Sequence, residues 1–130
     1  MVLKDNPSEE AGPQWLDSER GTQLIGWICL RCGQRGVPRQ RFGCERCGAP
    51  GNEIGETRFE ARGVLRSFAE VHRHAKWPVP FVMGEITLDD GPTIHAFLDD
   101  EVAWHPGATV VGQAGERLLH SYVVFTSGEH

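Results

Sequence analysis

From residue 57 onward the chain alternates. Phe59, Ala61, Gly63, Leu65, Ser67, Ala69 and Val71 fall on one side of a two-residue period, and Arg58, Glu60, Arg62, Val64, Arg66, Phe68 and Glu70 on the other. A period of two held that long predicts one long strand with one face turned inward, and Gly63 is where it can bend at a barrel corner. Trp77-Pro78-Val79-Pro80 ends it, because two prolines remove N–H groups that a ladder needs. Alternation resumes over residues 81–88, with Val82, Gly84, Ile86 and Leu88 on one face. Asp89-Asp90-Gly91-Pro92 then supplies turn residues, and 93–98 is the returning strand. Residues 99–106 lose the pattern and predict a crossing segment, from which Trp104 can plug one barrel end. Further strands are expected over 109–114 and 118–126. Five strands with a long, glycine-bent first member predict a mostly β chain containing a five-stranded OB-fold barrel; periodicity alone leaves a small β-sandwich or an SH3-like barrel as alternatives.

The first part of the chain has shorter elements. Residues 1–12 are polar and broken by Pro7 and Gly12, as in a flexible lead-in. Pro13 followed by Trp15 and Leu16, with Gly21 as a stop, predicts a short helix over 13–20. A first ribbon strand is expected over 24–29, with Ile25 and Trp27 on one face. The returning strand is expected over 39–44, with Phe42 as its main apolar contact. The expected division is a tail and short helix over 1–23, a metal ribbon over 24–56 and the barrel over 57–130.

All four cysteines lie in that ribbon, as Cys29-Leu-Arg-Cys32-Gly33 and, ten residues later, Cys44-Glu-Arg-Cys47-Gly48. Two residues between cysteines let a tight turn aim both sulfurs at one ion about 2.3 Å away. The glycine after each second cysteine suits a turn that needs positive φ. Cys29, Cys32, Cys44 and Cys47 are therefore read as the ligands of one structural zinc ion. Iron in a rubredoxin-like site uses the same knuckles, so the ion is not fixed by spacing, although the short loop between them favours zinc. Two disulfides fit poorly, since two-residue loops make strained bridges, and a thioredoxin-like pair needs a βαβ setting that is missing. A module this small folds only as it binds its metal.

Composition and charge refine this picture. An apolar fraction of 39% and a charged fraction of 24% are those of a soluble globular chain. No apolar run approaches the ~18 residues that cross a bilayer, so no membrane role is expected and a cytoplasmic location is. The net charge of −5 is unevenly spread: −3 over residues 1–28, +5 over 29–76 and −7 over 77–130. A basic middle between acidic ends points to an anionic partner of the ribbon, with Arg31, Arg35, Arg39 and Arg41 as candidates; the alternative is a solvated fringe that keeps a small module soluble.

Little else suggests catalysis. His72 and His74 share a strand face, as two metal ligands can, but no third ligand is suitably spaced. Asp89-Asp90 and Asp99-Asp100-Glu101 read as acidic turns, and no phosphate loop, G-x-S-x-G or H-E-x-x-H motif occurs. The chain is thus read as a binding or scaffold protein with no catalytic residues of its own. A ribbon beside an OB-fold also fits a single-stranded nucleic-acid binder, the main alternative. Against nucleic acid, the barrel beyond Trp77 carries only Arg117 against eight acidic residues.

Several local sequences together resemble one family. They are Gly26-Trp27 before the first knuckle, the doubled C-x-x-C-G with Pro38 and Arg39 between, Arg62-Gly63-Val64-Leu65 with Ser67, Pro80-Phe81-Val82, the Asp-Gly turn and Pro106-Gly107. Over roughly residues 15–125 the chain is similar to the acyl-CoA-associated proteins that join a rubredoxin-like zinc ribbon to an OB-fold and accompany thiolase-superfold enzymes. The resemblance implies a non-catalytic accessory subunit in a hetero-oligomer, whose thiolase-like partner holds the catalytic residues. Such partners include acetoacetyl-CoA and benzoylsuccinyl-CoA thiolases, steroid side-chain aldolases and acyltransferases. It also implies a coenzyme A thioester shared with that partner. The ribbon arginines are candidates for its phosphates or for an acidic partner surface, on charge alone.

Overall fold

The computed structural model describes residues 14–19, 21–75, 79–117 and 120–128. The chain begins with a hairpin: β1 (Trp15–Ser18) pairs antiparallel with β2 (Gly21–Cys29), from Trp15 opposite Leu24 to Ser18 opposite Gly21. The helix expected over 13–20 is therefore corrected to a strand where it is described, and residues 13 and 20 lie outside the described residues. The physical reason is length, since a helix of two turns cannot sustain itself, whereas β2 offers β1 a ready ladder. Asp17 and Thr22 add a cross-strand bond, Thr22 Oγ1 donating to Asp17 Oδ1 at 3.1 Å. Gly21, expected to stop a helix, instead takes φ 102° at the hairpin turn.

β2 is the spine of the first sheet. β3 (Arg35–Gly36) pairs with its end, at Ile28 and Trp27, and β4 (Ile54–Glu60) runs along its other edge from Cys29 to Gln23. The returning strand expected over 39–44 is not formed: pairing ends before Pro38, and Gly43 makes only an isolated bridge to Pro50. Phe42, expected to be that strand's apolar contact, is 95% exposed. With no ladder to orient it, its side chain points off the loop.

The long strand expected from residue 57 is two strands in two sheets. β4 ends at Glu60, and β5 (Arg62–Val71) opens the barrel. Between them the backbone of Ala61 serves both sheets: its N–H donates to Thr22 O at 3.2 Å and its C=O accepts from Gly112 N at 2.7 Å. Phe59, Ala61, Gly63 and Leu65 are all buried, so the two-residue period runs through the change of sheet unbroken. This is why alternation alone does not reveal it.

β5 is followed by β6 (Phe81–Leu88), β7 (Thr93–Leu98), β8 (Thr109–Arg117) and β9 (His120–Ser127). They close in the order β5-β6-β7-β9-β8, with β7 and β9 parallel and the other pairs antiparallel. That is the Greek-key closure of an OB-fold barrel. Gly63 lies where β5 is paired to both Leu88 and Val110, and a Cβ there would run into the Thr87 carbonyl. The expected bend also uses a register shift between Leu65 and Ser67.

One core joins the two sheets. Leu24 and Phe59 from the first pack with Leu65, Ile86, Val110, Val123 and Phe125 of the barrel, all 0% exposed. As expected, residues 99–106 hold no strand, and Trp104 leans from them onto this core, its Nε1 donating to Asp99 O at 2.7 Å. A separate cluster pairs Phe81 and Phe97 edge to face at 5.3 Å.

Candidate metal centre

The end of β2 delivers Cys29, and the chain then turns tightly. Gly33 N donates to Cys29 O at 2.9 Å, with Gly33 at φ 83°. The second knuckle repeats this: Gly48 N donates to Cys44 O at 2.8 Å, with Gly48 at φ 79°. Both C-x-x-C-G units thus form the positive-φ turns their glycines predict.

The turns bring four sulfurs together. Cys29, Cys32, Cys44 and Cys47 Sγ all lie within 4.8 Å of one another, with Cys29–Cys47 and Cys32–Cys44 each at 3.6 Å. A disulfide needs about 2.05 Å, so these are free thiols. A tetrahedron with metal–sulfur bonds of about 2.3 Å has edges of about 3.8 Å, close to the shortest separations. The cluster is positioned to bind a metal ion, and four soft sulfurs in that shape fit zinc. Among the described residues it is the one such group. Bound zinc would supply four strong cross-links and no open position for substrate, as in a structural site.

The thiols resist ionising together. The Cys29 thiol is drawn down to about 7, first by the Cys32 backbone N–H, which reaches its sulfur at 3.4 Å; burial opposes this, and the Arg31 N–H and neighbouring thiols assist. At Cys47 the Ala49 N–H pulls the same way, but burial and contact with the other three sulfurs outweigh it and push the thiol up to about 12. Four thiolates this close need a cation between them.

Two glutamines that carried no motif shape the site. Gln40 Oε1 accepts from Phe42 N at 2.6 Å and Gly43 N at 3.2 Å, while its Nε2 donates to Gly43 O at 2.8 Å, which sets the approach to Cys44. Gln34 joins the knuckles: its backbone O accepts from Cys29 N at 2.8 Å, and its side chain accepts from Arg46 Nη1 at 3.1 Å. No local signal marks either, because their partners are backbone groups or a side chain brought close by folding.

The four candidate arginines are placed differently. Arg31 pairs with Glu53, and Arg39 with Glu56 at 2.9 Å. Arg35 sits 5.6 Å above the Phe59 ring and donates to Asp90 O at 2.7 Å, bracing the ribbon against the β6–β7 turn. Arg41 is exposed and shares with Arg39, Gln40, Asn52, Ile54 and Glu56 a groove of about 700 Å³. His72 pairs with Glu70 at 2.9 Å and His74 packs edge-on to Phe81 at 5.6 Å, so these two histidines have separate neighbours.

No family model and no curated protein matches the chain. Solved structures do. The Ltp2-ChsH2(DUF35) aldolase aligns with a TM-score of 0.68 at 20% identity, over 82% of this chain and 86% of that one. A protein of unknown function from the DUF35 family of Sulfolobus solfataricus aligns with a TM-score of 0.52 at 17% identity, over 81% and 75%. The shared span exceeds what the barrel strands alone occupy, so the likeness extends beyond the barrel.

Proposed function

We propose that this chain is a non-catalytic, zinc-stapled accessory subunit of a thiolase-like acyl-CoA enzyme, assembling with the catalytic subunit and helping it hold its acyl-CoA. The observation that carries this reading is the likeness of 82% of this chain, more than its barrel strands, to the Ltp2-ChsH2(DUF35) aldolase. The cysteines support it, since all four converge on one site and a thiol nucleophile has to come from another polypeptide. The ribbon arginines Arg31, Arg35, Arg39 and Arg41 are the chain's candidates for coenzyme A phosphates or an acidic partner surface. Arg41 leads them, because the other three already hold Glu53, Asp90 O and Glu56.

Purification of the tagged protein from its own cells is the test. A stoichiometric thiolase-like polypeptide, with acyl-CoA turnover in the pair and none in this chain alone, is the expected result. Robust turnover by the isolated chain, or salt-sensitive oligonucleotide binding with no protein partner, overturns the reading.

A further inference from the structure

Two large apolar side chains of the ribbon stand in solvent, Leu30 at 69% and Phe42 at 95% exposure. Phe42 stands beside the Arg39–Arg41 groove: it follows Arg41 directly, and Gly51, which lines the groove, lies against the backbone of both. Leu30 lies 3.4 Å from where a side chain on Gly55 would begin, on the face of β4 turned away from Ile54 and Glu56. Its wall is β4, which among the described residues pairs in the sheet only with β2, so the outer edge of this wall carries no further strand. On its floor Ile54 packs against Cys29, Cys44 and Ala49, which makes the groove the outer surface of the metal core.

We infer that this groove, with Phe42 as its anchor, is the surface by which the ribbon docks on its partner subunit, and that the ring enters an apolar pocket rimmed by aspartate or glutamate. The inference rests on the accessory-subunit reading and adds which face is used and what it meets. Phenylalanine and arginine side by side are the residue types that interface centres favour, and an aromatic ring left in water gains most from being covered. Charge selects the partner's rim. The groove lining carries two arginines against one glutamate; Glu56 occupies Arg39, and Arg41 has no ion pair among the described residues. A single unpaired guanidinium beside an exposed aromatic ring suits a carboxylate-rimmed protein surface. A coenzyme's several phosphates call for more converging cations than this.

The test uses the co-purified complex and the variants Phe42→Ser, Leu30→Ser and Arg41→Glu. All three side chains are exposed, so metal content and melting temperature should match the parent. Phe42→Ser is expected to raise the dissociation constant for the partner at least tenfold, Arg41→Glu to abolish most of its salt dependence, and Leu30→Ser, on the other face of β4, to leave binding within twofold. Binding within twofold of the parent for both Phe42→Ser and Arg41→Glu overturns the surface and leaves the accessory-subunit reading standing. So does unchanged partner affinity with lost acyl-CoA affinity, which would make the groove a coenzyme site. If no polypeptide co-purifies, that reading fails by itself. The surface is then judged by a photo-crosslinking residue at position 42 in living cells, with one at Thr93 on the barrel as control. Crosslinks from position 42, and not from 93, into an acidic-rimmed apolar site of one polypeptide, with purified binding weakened by Phe42→Ser, sustain it. Crosslinks only to other copies of this chain, or none, overturn it.

Discussion

The ribbon tip and the barrel reach order by different means. From Cys29 to Glu53 the buried apolar residues are Cys29, Cys44 and Ala49, with Trp27 and Ile54 leaning in from the strands. The barrel closes over a core that includes Leu65, Ile86, Val110, Val123 and Phe125. A tip with so little apolar burial cannot offset the entropy of fixing its backbone, so metal–sulfur bonds have to supply what packing does not. The base of the first sheet belongs energetically to the barrel, because Leu24 and Phe59 are part of the barrel's core. Sheet membership and stability therefore divide the chain at different places.

Removing the metal is the sharpest way to separate the two regions. Cys44→Ser, or a strong chelator, is expected to abolish hydrogen-exchange protection across the knuckles while the barrel amides and the cooperative melt persist. Zinc sites of this kind contribute on the order of 10 kcal/mol to small modules. A metal-free tip that keeps its protection would show that packing suffices. Phe59→Ala tests the shared core, with an expected cost of about 3 to 5 kcal/mol and lost protection in β2 and the barrel together. If only the first sheet weakens, the core is not continuous.

Arg35→Ala probes the brace between the regions. It is expected to cost about 1 kcal/mol, seen in denaturant titration, and to raise exchange near the β6–β7 turn while leaving zinc content unchanged. The smallest effect is in protons. In the metal-free site Cys47 holds its proton up to about 12, whereas Cys29 is already largely ionised above about 7. Zinc uptake near pH 8 should thus release a whole proton from Cys47 and only a fraction from Cys29. Protons released per zinc, measured by calorimetry in buffers of differing ionisation enthalpy, should therefore fall between about pH 6 and pH 8 as Cys29 ionises ahead of the metal. Since protons compete with the metal, affinity falls as the pH falls.

Local pattern went far in this chain. The doubled knuckle picked out the four cysteines that the fold gathers into one cluster, since a C-x-x-C-G turn is closed by its own backbone and needs nothing distant. Alternation and turn residues found all five barrel strands. It failed where two structures share one local code. Residues 15–18 hold too few side chains to separate a short helix from a short strand, and only β2 decided between them. Phe42 looked like a strand contact because alternation cannot tell a paired strand from an extended loop.

By itself the sequence determined which four cysteines cluster, the knuckle turns and the inward face of β6, because each depends on residues close together in the chain. Only the tertiary structure decided that Ala61 divides its N–H and C=O between two sheets, that Glu53, Asp90 and Glu56 engage three of the four candidate arginines, and that Arg39, Arg41, Ile54 and Glu56 line one groove. Those features join groups from separate stretches of the chain, and no local period or motif records which distant groups folding will bring together.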